Sequence, residues 1–133
     1  MKLTYNRLLR LVYASVLVYI IMIFAAPTLY KIWIGSSISI SFGVTVSMAV
    51  FALSQTYCAV NSYIVNGIGA VRIQAIIFAL FAISSWYFLK VSCGIGLEGV
   101  ILYTALVYFI IGLFEQIQIN KNLNGTATDI WVK

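Results

Sequence analysis

The chain lacks the residues that carry most enzymatic chemistry. It contains no histidine and only three acidic residues in 133. It has no pair of acids at helical spacing, no Cys-x-x-Cys and no glycine-rich phosphate loop, because Gly67-Ile68-Gly69 lacks the preceding strand and third glycine of a dinucleotide fingerprint. We therefore expect that the protein is not an enzyme and that it holds no metal and no cofactor.

Charged residues are also scarce. They make up 8% of the chain, against 63% hydrophobic residues, and this leaves too little polar surface to cover a soluble globule. The net charge of +5 comes from eight Lys and Arg scattered between apolar runs, a pattern typical of membrane topology and not of a nucleic-acid-binding patch. The composition predicts a membrane protein whose 133 residues form a few spans and no separate soluble domain.

The two cysteines are not expected to form a disulfide. Cys58 falls within a predicted span and Cys93 in a short loop, so a bond between them would join different depths of the membrane. We interpret both as small apolar side chains that fill space between helices.

The hydrophobic runs predict four spans. Residues 11–29 carry no charge and nearly cross a hydrocarbon core of about 30 Å, and the run is too long for the apolar region of a signal peptide. Pro27 predicts a kink or an early helix end, and 30–37 an interfacial turn. The predicted spans are about 11–30, 38–63, 73–89 and 99–117, which makes 1–133 a single all-α transmembrane region of four antiparallel helices.

Two short connections separate the last three predicted spans. Asn66, Gly67 and Gly69 are turn formers that tolerate left-handed backbone angles, and Arg72 follows them. Residues 91–99, with three glycines, predict a second tight hairpin.

The distribution of Lys and Arg predicts the orientation. Four spans place both termini on one side of the membrane, and six basic residues fall on that side against two on the other. The positive-inside rule therefore places the termini and the connection at 66–72 in the cytoplasm. The six are Lys2, Arg7, Arg10, Arg72, Lys121 and Lys133, and the two are Lys31 and Lys90.

A polar stripe runs along the second span. Ser47, Ser54 and Asn61 recur every seven residues and stay within about 40° of one another around a helix axis, with Gln55 at the edge of the stripe. These side chains should face protein or water and not lipid. Two interpretations remain open: the stripe packs against another helix, or it lines a substrate cavity.

Glu115 is the acid expected to lie within the hydrocarbon, near the cytoplasmic end of the fourth span. One interpretation is an interfacial carboxylate that reaches water. The sharper hypothesis places Glu115 close to Arg72 at the cytoplasmic mouth of a cavity, since both are predicted at the same depth. Asn66, in the adjacent connection, is a further candidate for contact with substrate.

Five segments, in their order and spacing, resemble the carboxyl-terminal part of bacterial O-antigen and capsule repeat-unit flippases, in the multidrug/oligosaccharidyl-lipid/polysaccharide exporter superfamily. These segments are Tyr30-Lys-Ile-Trp-Ile-Gly35, Ile40-Ser-Phe42, Asn66-Gly-Ile-Gly69 followed by Arg72-Ile-Gln74, Gly96-Leu-Glu-Gly-Val100 and Ile130-Trp-Val-Lys133.

The resemblance implies a protein of the bacterial inner membrane that moves an undecaprenyl-diphosphate-linked oligosaccharide between leaflets by alternating access of two six-helix lobes. The four helices would correspond to the last four of the second, MATE-like lobe. Family members are much longer, so the resemblance also implies a fragment of a transporter that needs the missing amino-terminal helices as partner and is inactive alone.

Two other classes remain open. The chain could be an autonomous four-span transporter or bactoprenol-linked sugar translocase that acts as a homo-oligomer, although 11–29 lacks the acid on which small proton-coupled multidrug pumps rely. It could also be a membrane scaffold without transport activity.

Overall fold

A computed structural model describes residues 2–35, 40–128 and 131. Within them lie four α-helices, α1 (Lys2–Trp33), α2 (Phe42–Ile68), α3 (Arg72–Cys93) and α4 (Leu97–Leu123). Each is long and apolar enough to cross a membrane, with a mean hydropathy between 1.4 and 2.3 over its most apolar 18 residues. The all-helical architecture and the number of candidate spans are as predicted.

Each helix extends beyond its predicted span at one end or both, whereas the start of α2, at Phe42, lies inside the predicted span of 38–63. α1 already begins at Lys2 and includes Arg7 and Arg10. Its 32 residues correspond to about 48 Å, well over the thickness of a hydrocarbon core of about 30 Å. A charged side chain limits the apolar part of a helix without ending the helix, because the backbone hydrogen bonds continue into the headgroup region.

The end of α1 corrects one of the two alternatives for Pro27, an early helix end, and part of the predicted interfacial turn. The helix passes through Pro27 and ends at Trp33, so Pro27 does not terminate it and the first part of the predicted interfacial turn is helical. Proline removes one amide donor, whereas leaving the helix in an apolar medium would expose many backbone groups. The turn begins at Ile34, and residues 36–39, where the second span was predicted to start, lie outside the described residues.

α2 is bounded by two specific caps. The Ser41 side chain accepts a hydrogen bond from the Gly43 amide at 3.1 Å and so satisfies a free donor at the helix start. At the other end Gly69 adopts φ 78°, and the Gly69 and Ala70 amides donate to the carbonyls of Asn66 and Val65. Asn66 and Gly67 are therefore helical, and the predicted turn is confined to 69–71.

α2 and α4 form the centre of the molecule, with α1 packed on α2 and α3 packed on α4. Tyr5, Val65 and Ile119 form a buried cluster where α1, α2 and α4 meet. α3 buries only Ile73 and Ser92, near its two ends, and leaves its middle exposed. Most of the buried polar side chains among the described residues belong to α2 and α4.

Candidate functional site

The polar stripe of α2 is buried within the protein. Ser47, Ser54 and Asn61 expose 4%, 7% and 0% of their surface, and the neighbouring Cys58 exposes 3%. Gln55, predicted at the edge of the stripe, is exposed. The side chains that recur every seven residues thus face the interior, as expected for groups that hydrocarbon would not solvate.

Asn61 joins three helices. Its Nδ2 donates to the Gly112 carbonyl of α4 at 3.1 Å, and its Oδ1 accepts from the Tyr5 hydroxyl of α1 at 3.0 Å. Amide side chains that hydrogen-bond across helices are a recurrent means of association in membranes. For Asn61 this geometry favours helix packing over contact with a substrate.

Gly112 allows α2 and α4 to approach at this point. A methyl group in place of its hydrogen would lie 2.7 Å from the Tyr57 ring and 3.3 Å from Cys58 Cα. Optimal contacts between carbon atoms are about 3.5–4.0 Å, so only glycine fits without displacement of α2. Sequence reasoning missed Gly112, although a glycine within an otherwise apolar run is the usual signal of a close helix contact.

Glu115 lies one turn further along α4 and is completely buried. The Ser62 hydroxyl lies 2.8 and 2.9 Å from the two carboxylate oxygens, and Cys58 Sγ lies 3.9 Å from one of them. The carboxylate therefore does not reach water, which corrects the first interpretation of this residue. Ser62 was also missed, because it lies outside the seven-residue repeat.

Arg72 and Glu115 do not form an ion pair in the described part of the chain. Arg72 is exposed at the start of α3, whereas Glu115 faces α2. The hypothesis of their approach came from predicted depth alone, and depth leaves the direction of each side chain around its helix undetermined. Asn66 is exposed in the last turn of α2.

A groove with a volume of about 680 Å³ lies beside this interface, between α1, α2 and α4. Of the four residues predicted to line a cavity, only Ser54 belongs to its described lining. Tyr57 and Gln116, which lie on the groove, form a hydrogen bond from the tyrosine hydroxyl to Gln116 Oε1. The remaining lining is mainly apolar: Leu9, Val12, Tyr13, Val16, Val50, Leu53, Leu102, Ala105, Leu106, Phe109 and Leu113.

A second acid of α4 contacts the opposite end of α2. Ser41 Oγ donates to Glu98 Oε1 at 2.9 Å, and a side chain at Gly43 would overlap the Glu98 carboxylate. A carboxylate near the first turn of a helix is favoured by the helix dipole and the free amide groups. Each of the two α4 carboxylates therefore hydrogen-bonds with a serine, Glu98 with Ser41 just before α2 and Glu115 with Ser62 near the end of α2.

Among the described residues, no group of three His, Cys, Asp or Glu side chains could hold a metal ion. Cys58 and Cys93 are both free, the first buried and the second exposed.

The architecture indicates the class of protein to which the chain belongs. Four helices that can each cross a membrane, with polar groups buried between them, are those of a multi-pass membrane protein. No protein-family model, curated protein or solved structure matches the chain.

Proposed function

We propose that the chain supplies four antiparallel spans of a bacterial inner-membrane transporter that moves an undecaprenyl-diphosphate-linked oligosaccharide. The observation that carries the proposal is the apolar groove of about 680 Å³ between α1, α2 and α4. Its volume lies within the range of about 300–1,000 Å³ found for ligand pockets. The substrate class comes from the resemblance of the five sequence segments to repeat-unit flippases.

The pairs of residues in contact support an arrangement in which successive helices run in opposite directions. Tyr5, at the start of α1, bonds Asn61 near the end of α2, and Phe88, late in α3, stacks on Tyr103, early in α4. Contacts between α2 and α4 run in the same order along both helices: Ser41 with Glu98, Phe51 with Tyr108 and Ser62 with Glu115. The excess of Lys and Arg at the ends predicted as cytoplasmic supports placing both termini there.

The groove fits the polyprenyl part of such a substrate better than its sugars. Leucine, valine and phenylalanine make up most of its walls, and its polar groups are few. A hydrocarbon chain leaves no hydrogen-bonding group unsatisfied against such walls, whereas a sugar would. In this proposal the groove holds the lipid tail, and further helices from a partner or a longer polypeptide complete a polar path for the oligosaccharide.

Photoaffinity labelling with a diazirine-bearing undecaprenyl diphosphate tests the groove in membranes. We expect adducts at groove residues of the wild-type chain and their loss in Leu106→Trp, because the larger ring fills the space between α1, α2 and α4. Leu80→Trp is the matched control, since Leu80 is 62% exposed on α3 and does not line the groove. Equal labelling of both variants would show that the groove is not the binding site of the polyprenyl tail.

The exposed middle of α3 is a surface on which a second copy could pack, and one alternative function is therefore an autonomous transporter that acts as a homo-oligomer. Ile76, Leu80 and Ile83 lie along α3 and expose 47%, 62% and 79% of their surface. A second copy or further helices could cover this face. Chemical crosslinking in membranes separates the cases: a specific homodimer supports the alternative, and a complex with a longer polypeptide supports the main proposal.

A further inference from the structure

Glu115 is an acid without a basic partner in the interior of the protein. Its side chain is 0% exposed in a helix long and apolar enough to cross a membrane. Among the described residues, its carboxylate hydrogen-bonds only to Ser62 and, weakly, to Cys58 of α2. Its partners are thus one hydroxyl and one thiol, both neutral.

The other helices bring no positive charge into contact with this carboxylate. On α2 the nearest titratable groups are the Cys58 thiol and the Tyr57 phenol, which bonds the adjacent Gln116. On α1 the Tyr5 phenol is linked to the same interface through Asn61. On α3 Arg72 is exposed and makes no ion pair with Glu115 in the part of the chain that the structure describes.

Burial of an ionised carboxylate is costly unless a cation and several hydrogen bonds compensate it. Ser62 has a single hydroxyl proton, so it can donate to only one carboxylate oxygen at a time. Cys58 adds a weak donor at 3.9 Å. The other acid of α4 is in a different position, since Glu98 is half-exposed and lies against the start of α2.

The three groups can hydrogen-bond in either protonation state. When Glu115 is ionised, the Ser62 hydroxyl donates to it. When Glu115 carries a proton, the carboxyl can donate to Ser62 Oγ, and the Ser62 hydroxyl can turn toward Cys58 Sγ, which lies 3.8 Å away. Rotation of one hydroxyl therefore keeps a hydrogen bond between Ser62 and Glu115 in either state, but a single hydroxyl does not compensate the negative charge of the buried carboxylate.

We propose that Glu115, Ser62 and Cys58 form a proton-binding site in the α2–α4 interface, and that release of its proton loosens the packing of these two helices. The proton binds to a carboxylate oxygen and leaves to solvent, with no other bond made or broken. The ionised carboxylate that remains needs water or a cation to stabilise its charge. Either one must enter between α2 and α4. This inference does not depend on the identity of the transported substrate.

Infrared spectroscopy of the chain in lipid bilayers tests the site directly, through the carbonyl stretch of a protonated carboxylic acid. We expect this band at neutral pH, its loss in Glu115→Gln and its persistence in Glu98→Gln. The chain has only three acids, so the band can be assigned by substitution. Absence of the band in the wild type, or its persistence in Glu115→Gln, would overturn the proposal.

A second pair of variants tests the role of Ser62. Ser62→Ala removes the hydroxyl that stabilises the ionised carboxylate, so the infrared band should persist to higher pH than in the wild type. Ser85→Ala is the matched control, because Ser85 donates only to the Ala82 carbonyl of its own helix. Identical pH profiles for Ser62→Ala and the wild type would contradict the proposed site.

Amide hydrogen exchange tests the effect on packing. Glu115→Gln carries a neutral side chain at every pH, so the ratio of wild-type to variant exchange around 58–62 should rise as the pH is raised. The comparison at equal pH removes the intrinsic pH dependence of exchange. A ratio that stays constant would refute the coupling between proton release and α2–α4 packing.

Discussion

Replacement of Gly112 by alanine provides the most quantitative test of the α2–α4 interface. The added methyl group would lie 2.7 Å from the Tyr57 ring carbons, about 1 Å closer than an optimal contact. It would also lie 3.3 Å from Cys58 Cα, so the backbone of α2 restricts how far the ring can move away. Overpacking of this kind costs about 1–3 kcal/mol, while alanine returns up to about 1 kcal/mol of helix propensity.

Gly67→Ala is the control that separates the cost of overpacking at Gly112 from the gain in helix propensity. Gly67 lies in α2, and no heavy atom approaches within 4 Å of the position that its Cβ would take. Alanine gains helix propensity at both positions, so the difference between the variants approximates the overpacking cost of about 1–3 kcal/mol. Denaturant unfolding in detergent micelles, followed by circular dichroism, measures this difference in unfolding free energy. Equal stability of the two variants would refute the close contact at Gly112.

Two further substitutions test the bonds that hold α2. Asn61→Ala leaves the buried Tyr5 hydroxyl without its acceptor, and we expect a loss of about 1–3 kcal/mol in unfolding free energy. Asn66→Ala, at an exposed position of the same helix, is the control, and an equal loss in both would contradict the role of Asn61. Ser41→Ala removes the cap of α2 and should cost about 1 kcal/mol, measured by the same unfolding assay. An unchanged stability would show that Ser41 does not stabilise the start of α2.

The caps explain where predicted and observed helix ends differ. Hydropathy locates the apolar part of each helix but not its last hydrogen bond, so Asn66 and Gly67 were assigned to a turn although the helix includes them. Only Gly69 takes the left-handed conformation that ends α2. Turn-forming residues indicate where a helix can end, and the backbone hydrogen bonds decide which of them ends it.

The candidate site was predictable to a different degree for each residue. The repeat of Ser47, Ser54 and Asn61 predicted a common face, and their burial follows because polar groups avoid lipid. The partner of that face could not be predicted, since periodicity along one helix carries no information about the neighbouring helix. Gly112 and Ser62 gain their roles only through contact between α2 and α4.

The sequence by itself determined the class of protein, because it contains hydrophobic runs long enough to cross a membrane, separated by few charges. In hydrocarbon the backbone groups of such runs must be hydrogen-bonded within the segment, and a helix achieves this. The tertiary structure decided how these helices use their polar groups. It placed Glu115 against Ser62 and left Arg72 exposed, and it put the groove between α1, α2 and α4, where Ser54 is the one residue of the polar stripe in the described lining. These features depend on the rotation of each helix about its axis, which is fixed by close contacts such as that at Gly112 and not by hydropathy.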